Sequence, residues 1–541
     1  SPGLRDSELE EAAVTLGFPI LIKPSAGGGG KGMEPVFERS QLAGGLATAR
    51  RVATSAFGDD TLLLERLVTA PRHIEVQLLA DTHGHVIHLA ERECSLQRRH
   101  QKVIEEAPSS LLSEETRARI GEAACTVARS VGYVGAGTVE FLVSDDAPND
   151  FFFMEMNTRL QVEHPVTEMV TWLDLVAWQL RIAAGEHLTV RQEDVVLQGH
   201  AVEARVYAED PESGFLPSTG KVLALHETAG DGIRVDSALR VGLNVSSHYD
   251  PMLAKVIAWG ENRAEALARL NQALAETVIL GVRTNLEYLR ALITDPDVQA
   301  GRLETTLIER KLPELGFRHP DAELVSVAAR VLAHEQDRGN SASALGAWAA
   351  AQGWRTGGVR EPKRFRFATG AKDRYDVVVN ADVVTVFDHE RSVRLVAVAT
   401  NSVQAEVDGV TSHWNVARSG DTFWIGQGGF SWPLVIVDSE TALKESLAAI
   451  ERENHPSSPE VRSPMPGTVV TVPVTSGDRV QVGDTIVTVE AMKMEHKLTA
   501  PVAGTVTLTA RPGDLVKLEE LLATIEPDDP EGPPTPEEHA S

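Results

Sequence analysis

The chain has 541 residues, 42% of them apolar and 24% charged, with a formal net charge of −27; that length calls for three or four domains. The negative charge excludes a general nucleic-acid binder, and no apolar run approaches the roughly 18 residues of a membrane span. Two cysteines, Cys94 and Cys125, make neither a disulfide framework nor a four-ligand zinc site and point to a reducing cytoplasm.

In chain order, residues 18–23 (Phe-Pro-Ile-Leu-Ile-Lys) predict a buried strand that runs straight into a glycine-rich loop. Apolar runs at 61–67, 74–79 and 85–90, an amphipathic helix near 114–131, and strands near 137–143 and 151–156 give a mixed α/β unit. Ala147-Pro-Asn-Asp150 reads as a longer hairpin loop between the last two strands. A second block, 198–316, holds more strands and a helix over 262–277. A further helix is expected at 322–336, with Ala-rich sequence to about 351. From 363 to 438 short alternating strands dominate, with a hairpin turn at Asp408-Gly409, which predicts a small all-β barrel. Residues 453–463 are polar and rich in Pro and Ser, hence a linker, and the Pro/Glu/Asp tail after 527 is expected to be disordered.

The segment 464–527 contains an internal repeat. Pro-Met-Pro-Gly-Thr-Val (464–469) returns as Pro-Val-Ala-Gly-Thr-Val (501–506), and Val-Thr-Val-Glu (487–490) as Ala-Thr-Ile-Glu (523–526). Two four-strand copies facing each other would bury their apolar faces mutually. At the junction of the copies stands Glu-Ala-Met-Lys-Met-Glu (490–495). A lysine in such a turn is most often a solvated surface residue; here two apolar methionines bracket it. Within a duplicated β-module, Ala491-Met492-Lys493-Met494 resembles the biotinyl (biotin carboxyl carrier) domain, more closely than the lipoyl domain that shares its flattened barrel. The resemblance implies that a biotin protein ligase acylates Lys493 with biotin.

At the other end, Ile22-Lys-Pro-Ser-Ala-Gly-Gly-Gly-Gly-Lys-Gly-Met33 combines a strand, two lysines and a glycine run. Its backbone N–H groups can close over phosphates. The pattern is neither the P-loop nor the Rossmann fingerprint; it is similar to the lid of ATP-grasp enzymes. Glu140 and Glu155 lie in apolar predicted strands, and Glu155 leads into Asn157-Thr-Arg-Leu-Gln-Val-Glu-His-Pro165. Two carboxylates with an Asn suit a hard cation such as magnesium. A third stretch, Ala90-Glu-Arg-Glu-Cys-Ser-Leu-Gln-Arg-Arg-His-Gln-Lys102, could on its own be a charged surface face.

Together these motifs resemble biotin carboxylase over residues 1 to about 316, and the resemblance resumes at 461–527. It implies a multidomain α/β and β chain: an ATP-grasp fold (1–197), a biotin carboxylase C-terminal domain (198–316), a helix with a small β-barrel-like subunit-docking domain (320–452), a linker (453–463), a flattened β-barrel biotinyl domain (464–527) and a tail (528–541). It further implies ATP contacts from Lys23, Gly29, Gly30, Glu65, Val68, His73, Gln97 and His100. Glu140, Glu155 and Asn157 would hold Mg2+ (or Mn2+), the two carboxylates also facing ATP. Lys102, Arg159, Gln161 and Val162 would bind bicarbonate, Glu163 would be the general base, and Arg205 would face biotin. Biotin carboxylases begin with a further Rossmann-like domain ahead of the glycine loop, so the chain is expected to be a piece lacking that domain.

The chemistry demands these types: a base for the bicarbonate proton, cations for the transferring phosphoryl, and a permanently charged Arg for a developing oxyanion. No carboxyltransferase domain is visible between 316 and 461. The family that fits is the α subunit of an acetyl-, propionyl- or methylcrotonyl-type acyl-CoA carboxylase. It implies a hetero-oligomer with a carboxyltransferase β subunit and neither nucleic acid nor membrane as partner. The rival readings are a carbamoyl-phosphate-forming ATP-grasp ligase, which the Met-Lys-Met module argues against, and a non-catalytic carrier scaffold.

Overall fold

The computed structural model describes residues 4–26, 32–68, 71–98, 101–341, 361–369, 373–438, 440–442, 459–491 and 494–527. Gly29, Gly30, His100, Lys493, the Ala-rich stretch beyond 341, residues 453–458 of the expected linker and the tail after 527 lie outside the described residues.

The first unit joins helix α1 (Asp6–Leu16), strands β1 (Ile20–Pro24) and β2 (Glu34–Val36), helix α2 (Leu42–Phe57) and strand β3 (Leu62–Arg66). Its antiparallel sheet has the order β2-β1-β3. Alternation along β1 turns Ile20 and Ile22 into a core with Leu9 and Ala13 of α1 and Leu46, Ala49 and Ala53 of α2. The pairing of Leu21 with Glu65 and of Lys23 with Leu63 puts Lys23 and Glu65 together on the opposite face. Gly45 lets α2 lie close to this sheet, since a Cβ there would come within 2.9 Å of the Val36 side chain.

The centre of the molecule is one eight-stranded antiparallel sheet. It contains β4 (Pro71–Ala80), β5 (Val86–Arg98), β6 (Gln101–Ala107), β7 (Gly135–Ser144), β8 (Ala147–Asn157) and β9 (His200–Tyr207), with strands Ile233–Ser237 and Met252–Gly260. The order is Ile233–Ser237, Met252–Gly260, β9, β6, β5, β4, β7, β8. The expected division at 197/198 therefore falls between segments that share one sheet, because β9 pairs directly with β6.

Helix α3 (Glu114–Ser130) packs Ile120, Ala124, Cys125 and Ala128 against Ile74, Val76 and Leu78 of β4 and Val139, Phe141 and Val143 of β7. The residues between them in sequence, His73, Glu75 and Gln77 on β4 and Glu140 on β7, must then turn to the other face. Helix α4 (His164–Thr171) seals part of that face with Val166 and Val170 against Ala107, Ala201 and Ile257.

The expected hairpin loop and the expected linker both need correction. Ala147-Pro-Asn-Asp150 is not an extended loop: Ser144 pairs with Ala147, so the turn is tight and β8 begins at Ala147. The described residues of the Ala90–Lys102 run, which carries the resemblance to biotin carboxylase, lie in strands β5 and β6, with Glu91, Arg92 and Glu93 each at most 1% exposed. The carboxyl end of the expected linker is strand Glu460–Arg462, paired with Leu521–Pro527.

Strands between Lys363 and Ile436 form a closed eight-stranded barrel. Helix Ala322–Ser341 contributes Leu324, Val325, Ala328, Val331 and Leu332 to the same core as Phe367, Val377, Val384 and Ile425 of the barrel. Asp408 and Gly409 have φ values of 51° and 88°, the left-handed pair that a tight hairpin turn requires.

The last module is two four-stranded sheets. One has the order 460–462, 521–527, 504–508, 479–480, and the other 494–499, 485–491, 467–471, 515–516. The repeats therefore do not face each other as separate sheets; each sheet takes two strands from each copy. Val469, Val487, Val489, Val506 and Ile525 lie between them as a common core.

Candidate active site

Four strands, β4, β6, β7 and β9, and the turn between β8 and α4 bring a set of charged side chains onto the face opposite α3. The carboxylates Glu75, Glu105, Glu140, Glu163 and Glu203 are all buried there, the most accessible being Glu140 at 7%. Carboxylates buried so close together need neighbouring cations or must keep their protons, and burial pushes the pKa of Glu105 up and that of Glu203 well above the usual range.

Lys102 is the first of these. Its Nζ lies 2.7 Å from Glu75 and 3.7 Å from Glu140, and it donates a short hydrogen bond to Glu163. Burial alone would favour its neutral amine, but the surrounding carboxylates outweigh that and hold its pKa well above the ordinary lysine value. Arg205 is the second: it donates to Glu163 Oε2 at 3.0 Å and to Glu105 at 2.6 Å. Burial opposes its charge too, and again Glu105 and Glu163 prevail. Glu163 thus bridges a lysine and an arginine just ahead of α4, with no capping bond to divert its carboxylate.

Beneath them, fully buried Arg92 donates to Glu75, Gln77, Thr138 and Thr167, so its guanidinium is satisfied on all sides. It fixes Glu75, which in turn fixes Lys102.

Glu140, on β7, sits opposite Glu155 on β8. Asn157 Nδ2 donates to both, at 2.8 Å and 3.2 Å. Glu155 is exposed while Glu140 is buried, so the pair joins the sheet interior to solvent. His73 Nε2 lies 3.0 Å from Glu140. Burial raises the Glu140 pKa, but His73 and Lys102 reverse the balance and leave it below the usual value. The set offers the hard oxygen donors that suit Mg2+.

Arg159 donates to Gln161 Oε1 at 2.7 Å, and Gln161 donates to Glu140 at 3.2 Å. The Val162 carbonyl accepts from Lys255 Nζ at 2.7 Å. Gln97 pairs with Lys102 across β5 and β6. Thus Lys102, Arg159, Gln161, Val162, Glu163, Arg205, His73, Glu140, Glu155 and Asn157 belong to one connected network. Lys23 and Glu65 form their own ion pair of 2.9 Å on the separate first sheet, and Val68 follows that sheet in the connection to β4. Ala491 and Met494 are register partners in the carrier module, and Met492 and Lys493 between them lie outside the described residues.

The sequence reading missed Glu75, Arg92, Glu105, Glu203 and Lys255. Lys255 sits opposite Arg205 in register. The signal that found Glu140, a charge inside an apolar strand, was also present in His73-Ile-Glu-Val-Gln-Leu-Leu79 and in Leu253-Ala-Lys-Val-Ile257.

Comparisons with known proteins agree along the chain. Family models match as the carbamoyl-phosphate synthase L chain ATP-binding domain over residues 2–191 and the biotin carboxylase C-terminal domain over 203–310. Two more match as the BT domain of the methylcrotonyl-CoA carboxylase alpha subunit over 320–439 and as a biotin-requiring enzyme over 459–525. The mitochondrial methylcrotonoyl-CoA carboxylase subunit alpha of Dictyostelium discoideum is 38% identical over 96% of this chain and 76% of its own length. The human mitochondrial propionyl-CoA carboxylase alpha chain is 40% identical over 96% of this chain and 72% of its own. The biotin carboxylase domain of Hydrogenobacter thermophilus 2-oxoglutarate carboxylase, solved with MgADP and bicarbonate, superposes with a TM-score of 0.55 at 41% identity, covering 58% of this chain and 69% of that one. Among the described residues no helix is long and apolar enough to cross a membrane. The chain belongs to the α-subunit family of biotin-dependent acyl-CoA carboxylases, enzymes that carboxylate biotin at the expense of ATP and work with a carboxyltransferase partner.

Proposed function

We propose that the network around Glu163 is the site where bicarbonate is activated, and that Lys493 carries the biotin that receives the carboxyl group. The observation that carries this reading is the Glu163 carboxylate held between Lys102 and Arg205. A carboxylate so placed takes the proton from bicarbonate as its oxygen attacks the γ-phosphate of ATP. Lys102, Arg159, Gln161 and the Val162 backbone hold the bicarbonate. Lys23, Glu65, Val68, His73, Gln97, His100 and the Gly29-Gly30 backbone hold the nucleotide.

Glu140, Glu155 and Asn157 would hold Mg2+, which supplies charge neutralisation at the phosphates when bound. Glu140, whose pKa is drawn below its usual value, and Glu155 both accept from one Asn157 amide, and this convergence of oxygen donors supports a cation there. Biotin, when bound, supplies the ureido nitrogen that takes the carboxyl group. Arg205 offers its fixed positive charge to the ureido oxygen, and Glu105 and Glu163 hold its guanidinium in place.

In domain terms, residues 1–197 and 198–316 form the carboxylase, 320–452 docks the carboxyltransferase β subunit, and 464–527 is the carrier that a biotin protein ligase loads. Cys94 and Cys125 are free and buried, which supports a reducing compartment such as the cytoplasm.

The test is Glu163→Gln in the assembled enzyme. Biotin-dependent ATP cleavage should fall by roughly 10²–10⁴-fold, the usual worth of a positioned base, with ATP affinity retained. Unchanged turnover would remove Glu163 from the base role.

A further inference from the structure

Away from the catalytic face, at the far end of β4, the turn Asp81-Thr-His-Gly-His85 meets the loop Gly185-Glu-His-Leu188 that follows the helix Leu175–Ala183. Three histidines and a buried aspartate converge there. Ligand atoms of Asp81, His85 and His187 lie within 4.8 Å of one another. The site lies six residues along the strand from Glu75, about 20 Å at strand rise, and shares no residue with the Glu140 network.

The cluster is held by bonds of which one, between His85 and Asp81, stands where an ion would sit. Asp81 is 2% exposed. Its Oδ1 accepts the backbone N–H groups of His83 and His85 at 2.8 Å and 2.9 Å, which shapes the turn. Its Oδ2 accepts the Leu188 N–H at 2.9 Å, tying the turn to the second loop, and takes the His85 Nδ1–H at 2.8 Å as its remaining bond. His83 donates from Nε2 to the Gly185 carbonyl at 3.0 Å. The His83 ring stacks on His187 with centroids 3.5 Å apart and planes 15° apart, and so orients the His187 imidazole. The His85 and His187 rings lie 5.9 Å apart. Two independent links therefore already fix the loops whose side chains would share an ion. His85 is 59% exposed, so its ring is free to open the 2.8 Å contact and admit one.

We propose that Asp81, His85 and His187 form a site for a late first-row divalent cation such as Zn2+ or Co2+, with His83 as a positioning residue. Two imidazoles and one carboxylate form a three-ligand set that Zn2+ completes with water. Imidazole nitrogen favours such ions over Mg2+, which prefers an all-oxygen shell. The ion would take the place of the His85 Nδ1 proton, the exposed imidazole then carrying its one N–H on Nε2, while Oδ2 keeps the Leu188 N–H. It thereby clamps the β4–β5 turn to the 185–188 loop. The inference is independent of the catalytic reading above.

The experiment is a titration of the full chain with Zn2+ by calorimetry, and with Co2+ by visible absorption, in buffer holding excess Mg2+ so that the carboxylate site is filled. One ion per chain is expected to bind, with a Co2+ spectrum of tetrahedral character. His85→Asn and His187→Asn, which leave the Asp81 turn intact, should each weaken that ion by at least about tenfold while biotin-dependent ATP cleavage stays unchanged. Failure of the wild-type chain to bind Zn2+ at about 100 µM, a concentration at which even a modest site fills, would overturn the proposal. So would affinity that survives in either variant.

Discussion

The catalytic sheet and the carrier module solve opposite problems with the same element, the antiparallel strand. On the sheet, the face away from α3 buries Glu75, Arg92, Glu105, Glu203 and Arg205. In the carrier module the buried polar residues among those described are only Ser463 and Thr488. The first region packs charges into its interior, held by ion pairs and hydrogen bonds among themselves. The second packs a dry core of mainly Val, Ile and Ala, which lets a small module fold as a unit. The first region is held by electrostatic balance and the second by apolar packing.

That contrast breaks most sharply at Lys493. Lys493→Arg should abolish biotinylation outright, because a guanidinium is a very weak nucleophile at neutral pH. The module should still fold, and ATP cleavage stimulated by free biotin should persist. Streptavidin blotting and phosphate release on one preparation measure both. Persistent biotinylation would refute the attachment site, and lost free-biotin stimulation would refute the separation of the two regions.

Arg205→Met should hit activity and stability together. It leaves Glu105 and Glu163 buried without their shared cation, a defect worth roughly 3–5 kcal/mol. Turnover should drop at least about 100-fold, as for loss of a preorganised oxyanion partner. Arg205→Lys keeps the charge but cannot reach both carboxylates at once, so stability should recover more than rate does. Equal recovery of both would mean that Arg205 serves only as a counter-ion.

How much of this was legible in the sequence divides along the same line. The carrier repeat could be read because its dry strands alternate cleanly and recur. The exchange of strands between its sheets could not, since a repeat shows which segments are alike and not which ones pair. Alternation also exposed the barrel strands and the Asp408-Gly409 turn. On the sheet, the carboxylates of Glu140 and Glu155 stood out against apolar neighbours. In the Ala90–Lys102 run the family motif was legible but the burial was not: charges neutralised by residues far away in sequence, such as Arg92 by Glu75, look like a solvated face in one dimension. Pro148 and Asn149 signalled a loop, yet pairing of Ser144 with Ala147 had already closed the hairpin before them.

In the carrier core the corresponding cut is Ile486→Ala. Ile486 is fully buried, and removing its side chain should cost about 2–5 kcal/mol. Thermal unfolding of the module should move down and biotin loading should fall with it, while ATP cleavage with free biotin stays level. A parallel loss of ATP cleavage would mean that the two regions are not energetically separate.

The smallest effect, and the one that tests the electrostatic side most closely, concerns Glu93 on β5. It accepts from Ser109 at 2.6 Å, is bonded by Ser95, and lies 3.2 Å from Arg72. Burial raises its pKa, and the opposing pull of Arg72 and the two serines leaves it at about 7, against 4.5 when unperturbed. A carboxyl whose folded pKa is raised holds its proton in the native state after the unfolded chain has released it. Its contribution to stability is therefore present in full below pH 4.5 and is lost as pH rises toward 7, by a few kcal/mol in all at about 1.4 kcal/mol per pH unit. Glu93→Gln is neutral at every pH and has no such slope. The difference in melting temperature between wild type and Glu93→Gln, measured on the transition of the central sheet, should shift steadily against the wild type from pH 5 to pH 7 and level off above. A difference that stays flat across that range would mean that Arg72, which also bonds Asp145 and the Gly301 carbonyl, keeps Glu93 ionised throughout.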